Sequence, residues 1–160
     1  MVAQALTSKT VLTLERVRIY ALARFYLTAE DCAMIDFQNN YTQPGSDWFD
    51  AIAYNVGRPK GDYFNLSSVA AAGISVTGPA AAADNVVGRR YTKALVLVKT
   101  RVHSNRAMMT DAQSQVTVSL DGDYNPLQSD GTLGPVTRQV VLSDFEGAIL
   151  IPSSAAKNPT

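Results

Sequence analysis

The residue types that most often perform catalysis are few in this 160-residue chain, and their spacing matches no catalytic motif. His103 is the only histidine, which excludes a zinc site built on a histidine pair, and it stands beside two polar residues at the end of a predicted strand. There is no G-x-S-x-G nucleophile elbow, no phosphate-binding P-loop and no G-x-G-x-x-G dinucleotide motif. We therefore predict a protein that is not an enzyme and that uses no cofactor and no small-molecule substrate.

The stretch DGDYNPLQSDGT is the nearest approach to a metal site. Asp121 and Asp123 stand where a calcium-binding loop has its first ligands. The sixth position is Pro126 where such a loop needs glycine, and the twelfth is Thr132 where it needs a bidentate glutamate. Cys32 is the only cysteine, so an internal disulfide and a cysteine-rich metal site are also excluded. We predict a turn at DGDYNP and no bound metal.

The overall composition is that of a chain that can both fold and associate. Hydrophobic residues make up 46% of it, which is enough for a core, and the length fits a single domain over residues 1–160. Fourteen basic residues balance 14 acidic ones, so copies of the chain repel one another little. No run approaches the roughly 18 apolar residues of a membrane span, and the start lacks a secretory signal. We predict a self-associating protein without a membrane span, made in the cytoplasm.

The stretch TLERVRIYALARFYL, residues 13–27, can be interpreted in two ways. With a period of two residues, its three arginines and two tyrosines share one face, as in a long strand. With a turn of 100° per residue, the charged residues scatter around the circumference and no apolar stripe emerges. Leu, Ala and Arg are nonetheless good helix formers. The alternation leads us to expect a strand.

The remaining patterns predict a sheet and a few helical segments. SDWFDAIAYNVG reads as a helix capped by Ser46 and ended by Gly57, and Ser143 with Glu146 forms a capping box for one short turn. The predicted strands are RRYTKALVLVKTRV, QSQVTVSL and VTRQVVL, with a turn at SDGTLGP between the last two. The fold class is therefore α+β, a mainly antiparallel β-sheet with two or three short helices.

Cationic and aromatic residues on the first and third-quarter strands are candidate contacts to nucleic acid. Cations neutralise phosphates, and aromatic rings stack on unpaired bases. The alternative is an ordinary half-buried strand, because Leu95 and Leu97 share the face of Lys93. The candidates are Arg16, Arg18, Tyr20, Arg24, Arg89, Arg90, Tyr91, Lys93, Lys99 and Arg101.

The stretch GRRYTKALVLVKTRV resembles the central strand of single-stranded RNA bacteriophage coat proteins. In that family a basic residue and Tyr-Thr precede alternating apolar residues and a lysine near the strand end, and Arg89, Tyr91, Thr92 and Lys99 match this order. The resemblance covers roughly residues 88–160. It implies a dimer with a shared sheet, a virion shell of many copies and RNA inside the shell.

The order of the elements carries a second resemblance. A long first element, LERVRIYALARFYL, followed by a β region and a polar tail is similar to the soluble part of minor type IV pilins. In those proteins the first element is a helix on which the sheet packs, and the implied location is an extracellular filament. A strand at residues 13–27 would support the shell, and a helix would support the filament.

Both resemblances imply one class, a structural subunit that self-assembles into a polymer. A virion coat protein enclosing nucleic acid is the leading interpretation, with other copies of the chain and RNA as its partners. A pilin-like filament subunit is the alternative, and a small monomeric binding module is a further alternative.

Overall fold

The computed structural model describes residues 13–30, 49–66, 73–78, 85–100 and 114–156. The helical elements are α1 (Leu14–Thr28), a 3-10 turn (Asp50–Ala53) and α2 (Ser153–Ala156). The strands are β1 (Phe64–Asn65), β2 (Ser75–Thr77), β3 (Val86–Arg90), β4 (Leu95–Lys99), β5 (Val116–Pro126), β6 (Thr137–Leu142) and β7 (Glu146–Pro152).

The expectation of a mainly antiparallel sheet is confirmed, and the expectation of two or three short helices is wrong. Within the described ranges α1 is the one helix of substantial length, with 15 residues. The 3-10 turn and α2 have four residues each, which is about one turn. In the part of the chain that the structure describes, the fold is therefore a twisted antiparallel sheet, shaped like half a barrel, with one long helix packed on it.

The strands of the described residues form one sheet in the order β1-β3-β4-β7-β5-β2, and β6 pairs with β5 off this path. β5 has 11 residues and pairs with three other strands. Its first half pairs with β2 and β6, and its last residues pair with β7. The register against β6 shifts between Ser119 and Tyr124, which marks an irregular, bulged segment in β5. Among the described strands, β6 pairs with β5 alone.

The expected strand at residues 13–27 is wrong, because Leu14–Thr28 is the helix α1. Thr13 caps this helix by accepting a hydrogen bond from the backbone nitrogen of Arg16 at 3.2 Å. The good helix formers of this segment permit the helix, and burial of one of its faces against the sheet stabilises it.

The expectation that a helix here would lack a buried face is also wrong. One side of α1 buries Ile19, Leu22, Ala23 and Leu27 against the sheet, at the i, i+3, i+4, i+8 spacing of a helix. Arginines obscure this stripe in the sequence, because they stand among its residues while their guanidinium groups contact polar groups or aromatic rings. Gly147 on β7 permits the close approach, since a side-chain Cβ there would lie 2.8 Å from that of Ala23.

The helix predicted at SDWFDAIAYNVG is wrong within the described residues, and its proposed cap Ser46 lies outside them. Only Asp50–Ala53 is helical, as a 3-10 turn. Beyond it the backbone pairs with the turn between β3 and β4, where the Lys93 nitrogen donates to the Val56 oxygen at 3.1 Å. Gly57 has a φ of +83°. Tertiary pairing thus replaces the local helical hydrogen bonds.

The long strand predicted at RRYTKALVLVKTRV is instead a hairpin. β3 and β4 pair antiparallel, and the chain turns where the Tyr91 nitrogen donates to the Ala94 oxygen at 2.8 Å. Strand QSQVTVSL is confirmed, because Val116, Val118 and Leu120 are all buried in β5.

The turn predicted at DGDYNP is wrong, since these residues continue β5 to Pro126. Their carboxylates bind cations on other strands: Asp121 accepts from Arg90 of β3 at 2.7 Å, and Asp123 accepts from Arg138 of β6 at 2.5 Å. The turn predicted within SDGTLGP is confirmed at Gly131, whose nitrogen donates to the Gln128 oxygen at 3.0 Å.

The sheet separates two apolar cores. Side chains of alternate residues point to opposite faces, so that Val96 and Val98 of β4 face α1 while Leu95 and Leu97 belong to the second core on the other face. α1 covers only the first of these faces. Within the described residues no helix is long and apolar enough to cross a membrane.

Candidate self-association surface

The ten residues predicted to contact nucleic acid divide between α1, the β3–β4 hairpin and Arg101. Arg101 lies outside the described residues, as does His103. The first four candidates do not form one face of a strand, because their segment is helical. Lys93 is exposed in the turn after β3, whereas Lys99 is completely buried in β4, so these two do not share an exposed face either.

The cations of α1 bind groups of their own chain. The Arg16 side chain is 8% exposed and donates from Nη2 to the backbone oxygen of Asp144 at 2.5 Å. Its Nε also lies 3.5 Å from the Glu146 carboxylate. The guanidinium of Arg18 lies over the Phe49 ring, 5.3 Å from its centroid. These contacts tie the helix to the loop before β7 and to the segment before the 3-10 turn.

Arg24 and Tyr20 form the outermost pair of candidates on α1. Arg24 is exposed and its guanidinium lies 5.8 Å from the centroid of the Tyr20 ring. Tyr20 in turn meets Phe145 edge to face, with centroids 6.0 Å apart. Phe145 has a φ of +60°, an unusual conformation for a bulky residue, in the turn between β6 and β7. Of the four helical candidates, Arg24 alone is fully exposed.

Arg89 of β3 holds the carboxyl end of α1. It is 6% exposed, and its Nη1 donates to the oxygens of Ala29 at 2.8 Å and Leu27 at 3.2 Å. The last carbonyls of a helix lack partners within the helix and carry partial negative charge, so a buried cation suits them. The Tyr91 hydroxyl donates to the Tyr26 oxygen at 2.5 Å. Burial raises the pKa of Tyr91 above its ordinary value, although the charge of Arg89 opposes this shift.

A buried ion pair lies at the start of β7. The ammonium of Lys99 is 2.5 Å from Oδ1 of Asp144, and the two side chains are 0% and 5% exposed. The Asp144 nitrogen donates to the hydroxyl of Ser114 at 3.1 Å, and the Phe145 nitrogen donates to the Lys99 oxygen. Of the predicted capping box the structure shows the glutamate half, because the Ser143 nitrogen donates to the Glu146 carboxylate at 2.6 Å, and the strand β7 rather than a helix begins at Glu146.

Arg90 of β3 also binds a group of its own chain. Its Nη2 lies 2.7 Å from the carboxylate of Asp121. Burial by itself lowers the pKa of Arg90, but hydrogen bonds and charge from Asp121 and Tyr124 outweigh burial and raise it. Most of the predicted nucleic-acid contacts that the structure describes are thus bound within the chain, and exposed cations remain at Arg24 and Lys93.

The outer face of α1 carries an apolar stripe that sequence reasoning missed. Leu14 is 55% exposed and Val17 is 45% exposed, and half-buried Ala21 follows them at helical spacing. Arg24 and Thr28 continue the same line as polar residues. The helical spacing i, i+3, i+7, i+10 and i+14 of these residues is visible in the sequence. The strand hypothesis divided them between two faces, because side chains of a strand alternate.

A cleft opens on the other side of the helix, beneath its first turns. Its volume is about 610 Å³, within the range of about 300–1,000 Å³ that ligand pockets occupy. The apolar part of its lining comes from α1, from the loops around the end of β5, and from β6 and β7. These apolar residues are Ile19, Pro126, Leu127, Pro135, Val140, Val141, Leu142 and Ala148.

The charged residues that line the cleft are paired. Glu15 accepts a hydrogen bond from the Ser129 nitrogen at 2.8 Å and a second one from the hydroxyl of Ser129. Arg16 and Glu146 interact with each other, as described above. The cleft therefore offers an apolar floor beside charged groups that already have hydrogen-bond or ion-pair partners, and Val141 of β6 lines it with 49% of its surface exposed.

Within the described part of the chain, no group of three or more histidine, cysteine, aspartate or glutamate residues could hold a metal ion. No protein-family model, no curated protein and no solved structure matches the chain.

Proposed function

We propose that the protein is a non-enzymatic structural subunit that polymerises with its own copies into a filament. The observation that carries this proposal is the position of α1. One face of the helix packs on the antiparallel sheet, and the opposite face exposes the apolar residues Leu14 and Val17. This is the arrangement that a pilin-like subunit needs, since it leaves one side of the helix available to other copies.

The charge distribution supports self-association. The chain has a formal net charge of zero, so that copies approach without net repulsion. The exposed apolar stripe lies on the side of α1 away from the sheet, while the cleft lies on the sheet side. Two distinct complementary patches on one subunit generate a head-to-tail contact, and such contacts build rings or open filaments.

The coat-protein interpretation has less support. Its resemblance lay in residues 88–160, and it was further supported by an expected strand at residues 13–27, where α1 lies, and by a basic face able to meet RNA. Arg16, Arg89 and Lys99 are instead bound inside the chain. Of the described residues predicted to contact nucleic acid, Arg24 and Lys93 are the exposed cations, and one lies on α1 while the other lies in the turn after β3.

Light scattering after size exclusion, followed by negative-stain electron microscopy, tests the proposal at micromolar concentrations. We expect particles much heavier than the 17.2 kDa monomer, filaments in the micrographs, and no change after nuclease treatment. A clean monomer over this concentration range overturns the proposed function. Closed shells with a high ratio of absorbance at 260 to 280 nm would overturn the filament in favour of the coat protein.

A further inference from the structure

We propose that Lys99 and Asp144 condense within the folded chain into an isopeptide bond, which joins the end of β4 covalently to the turn before β7. Before the reaction the two side chains form the buried ion pair described above. In the reaction the Asp144 carboxyl group becomes an amide of the Lys99 side-chain nitrogen, and one water molecule is released. This modification lies within one subunit and does not depend on the proposed filament function.

The two reacting groups are already in contact. The Lys99 nitrogen Nζ lies 2.5 Å from Oδ1 of Asp144. Because a C–O bond is short, Nζ also lies within about 3.7 Å of the carboxyl carbon Cγ. Reacting atoms in a near-attack arrangement are about 3–3.5 Å apart, and such placement is equivalent to an effective concentration of about 10⁵–10⁸ M. A small movement of the amine therefore brings it into position to attack Cγ.

Backbone contacts hold both groups in place. The Phe145 nitrogen donates to the Lys99 oxygen at 3.1 Å, so that β4 and the turn are bonded to each other beside the pair. The Asp144 nitrogen donates to the Ser114 hydroxyl at 3.1 Å, and the Asp144 oxygen accepts from Arg16 at 2.5 Å. Phe145 keeps a φ of +60°, which a bulky residue retains only where its surroundings fix the backbone. The Asp144 carboxylate consequently has little freedom to turn away from Lys99.

The surroundings of the pair exclude water. Lys99 and Asp144 are buried, and so are Ser114, Leu142 and Ser143 next to them in the chain or in space. In water, hydration stabilises an ammonium and a carboxylate and thereby opposes their condensation. In the interior both ions lose that hydration, which is costly even for a paired ion. Condensation replaces two buried charges by an uncharged amide, and the released water can leave for the solvent.

The reaction needs no reactant besides the two side chains. A proton moves from Nζ to Oδ1 along their hydrogen bond, which leaves an uncharged amine and a carboxylic acid. An uncharged lysine amine is a nucleophile, and its lone pair attacks Cγ to form the C–N bond. The C–O bond to the protonated oxygen then breaks, and this oxygen departs as water with a second proton from Nζ. The products are one secondary amide and one water molecule, and nothing is oxidised or reduced.

Mass spectrometry of the intact, denatured chain tests the proposal. The natural sequence is kept folded in buffer at room temperature for several days, and a parallel sample is kept unfolded in urea. We expect the folded sample to have the mass of the sequence less one water molecule, and the unfolded sample to keep the full mass. After proteolysis, tandem mass spectrometry should find a branched peptide that contains both Lys99 and Asp144.

Three variants identify the groups that react. Lys99→Arg keeps the positive charge but supplies a guanidinium, which stays protonated and does not attack, so this variant should keep its full mass. The double variant Lys99→Met, Asp144→Leu removes both charges, leaves no buried ion unpaired, and should also keep its full mass. Lys93→Arg is the matched control: Lys93 is exposed in the turn after β3, and this variant should lose one water as the natural sequence does. Circular dichroism spectra establish that each variant is folded.

Three results overturn the proposal. The first is a natural chain that is folded by circular dichroism and still has its full sequence mass. The second is a loss of water that persists in Lys99→Arg or in the double variant, because the water then comes from another position, such as a succinimide at a different aspartate. The third is an equal loss of water in urea, since the reaction requires the contact that folding creates.

Discussion

Replacing Arg89 by methionine should loosen α1 from the sheet while leaving the sheet folded. The guanidinium of Arg89 donates to the oxygens of Leu27 and Ala29 and, through Nε, to the oxygen of Gly61 at 3.1 Å. Methionine retains an apolar stem of similar reach but donates nothing. The carbonyls at the end of α1 would then lie partly buried without their partner.

The size of the effect follows from these contacts. A hydrogen bond to a charged group contributes about 1.5–3 kcal/mol, and an orphaned buried acceptor costs about 1–3 kcal/mol. Because the same atoms enter both figures, we expect a loss of about 3 kcal/mol in the free energy of unfolding. For a chain of this length each kcal/mol shifts Tm by about 2–4 °C, so the melting temperature should fall by about 6–12 °C.

Urea unfolding followed by far-ultraviolet circular dichroism, below the assembly concentration, measures this loss. Arg89→Lys should be intermediate, because an ammonium lacks the fixed fork that serves several carbonyls at once. Arg138→Met is the matched control: its side chain is 77% exposed and its ion pair with Asp123 lies at the surface, where solvent screens the attraction and the pair contributes little to stability.

Hydrogen exchange identifies the cause of the loss. If Arg89 anchors α1, its substitution should lower the protection of amide protons in α1 more than in β4 or β5. The reasoning is refuted if Arg89→Met is as stable as Arg138→Met, or if protection falls evenly over the whole sheet.

Two further predictions concern buried polar groups. Lys99→Met should cost about 3–5 kcal/mol of unfolding free energy, because it leaves the carboxylate of Asp144 buried and unpaired. Adding Asp144→Leu should restore most of this loss. A coupling energy between the two positions below about 0.5 kcal/mol in urea unfolding would contradict a stabilising Lys99–Asp144 ion pair. Burial raises the pKa of Tyr91 and of Tyr26 above the ordinary 10.0, so the folded chain keeps these protons at a pH where the unfolded chain has released them, and stability should fall as pH rises above about 10. Tyr91→Phe should show a shallower alkaline loss, and an unchanged slope between pH 9 and 12 would contradict this assignment.

The strands were the most predictable part of the fold. In β5 the alternation of Val116, Val118 and Leu120 with polar residues determines which face is buried, since side chains of a strand alternate between faces. The hairpin of β3 and β4 was less visible. Its turn at Tyr91–Ala94 contains neither glycine nor proline, so no turn residue interrupts the apolar run of the sequence.

The candidate surface could be predicted only in part. Leu14 and Val17 are identifiable from the sequence once a helix is assumed, but the cleft is assembled from segments more than 100 residues apart, from Ile19 to Ala148. The hydrogen-bond partners of the arginines could not be predicted from the sequence either. Arg16 contacts Asp144, and Arg89 contacts the end of α1, only when the helix is docked on the sheet.

The amino-acid sequence by itself determined the class of fold, the absence of catalytic motifs and the balance of charge. These properties depend on composition and on periods of a few residues. Only the tertiary structure decided that residues 14–28 form a helix, because the stripe of Ile19, Leu22, Ala23 and Leu27 is stabilised by burial against β7 and β4. It also decided the roles of the basic residues. A cation in a sequence can face solvent, a phosphate or its own chain, and the choice depends on which carbonyls and carboxylates folding brings within hydrogen-bond distance.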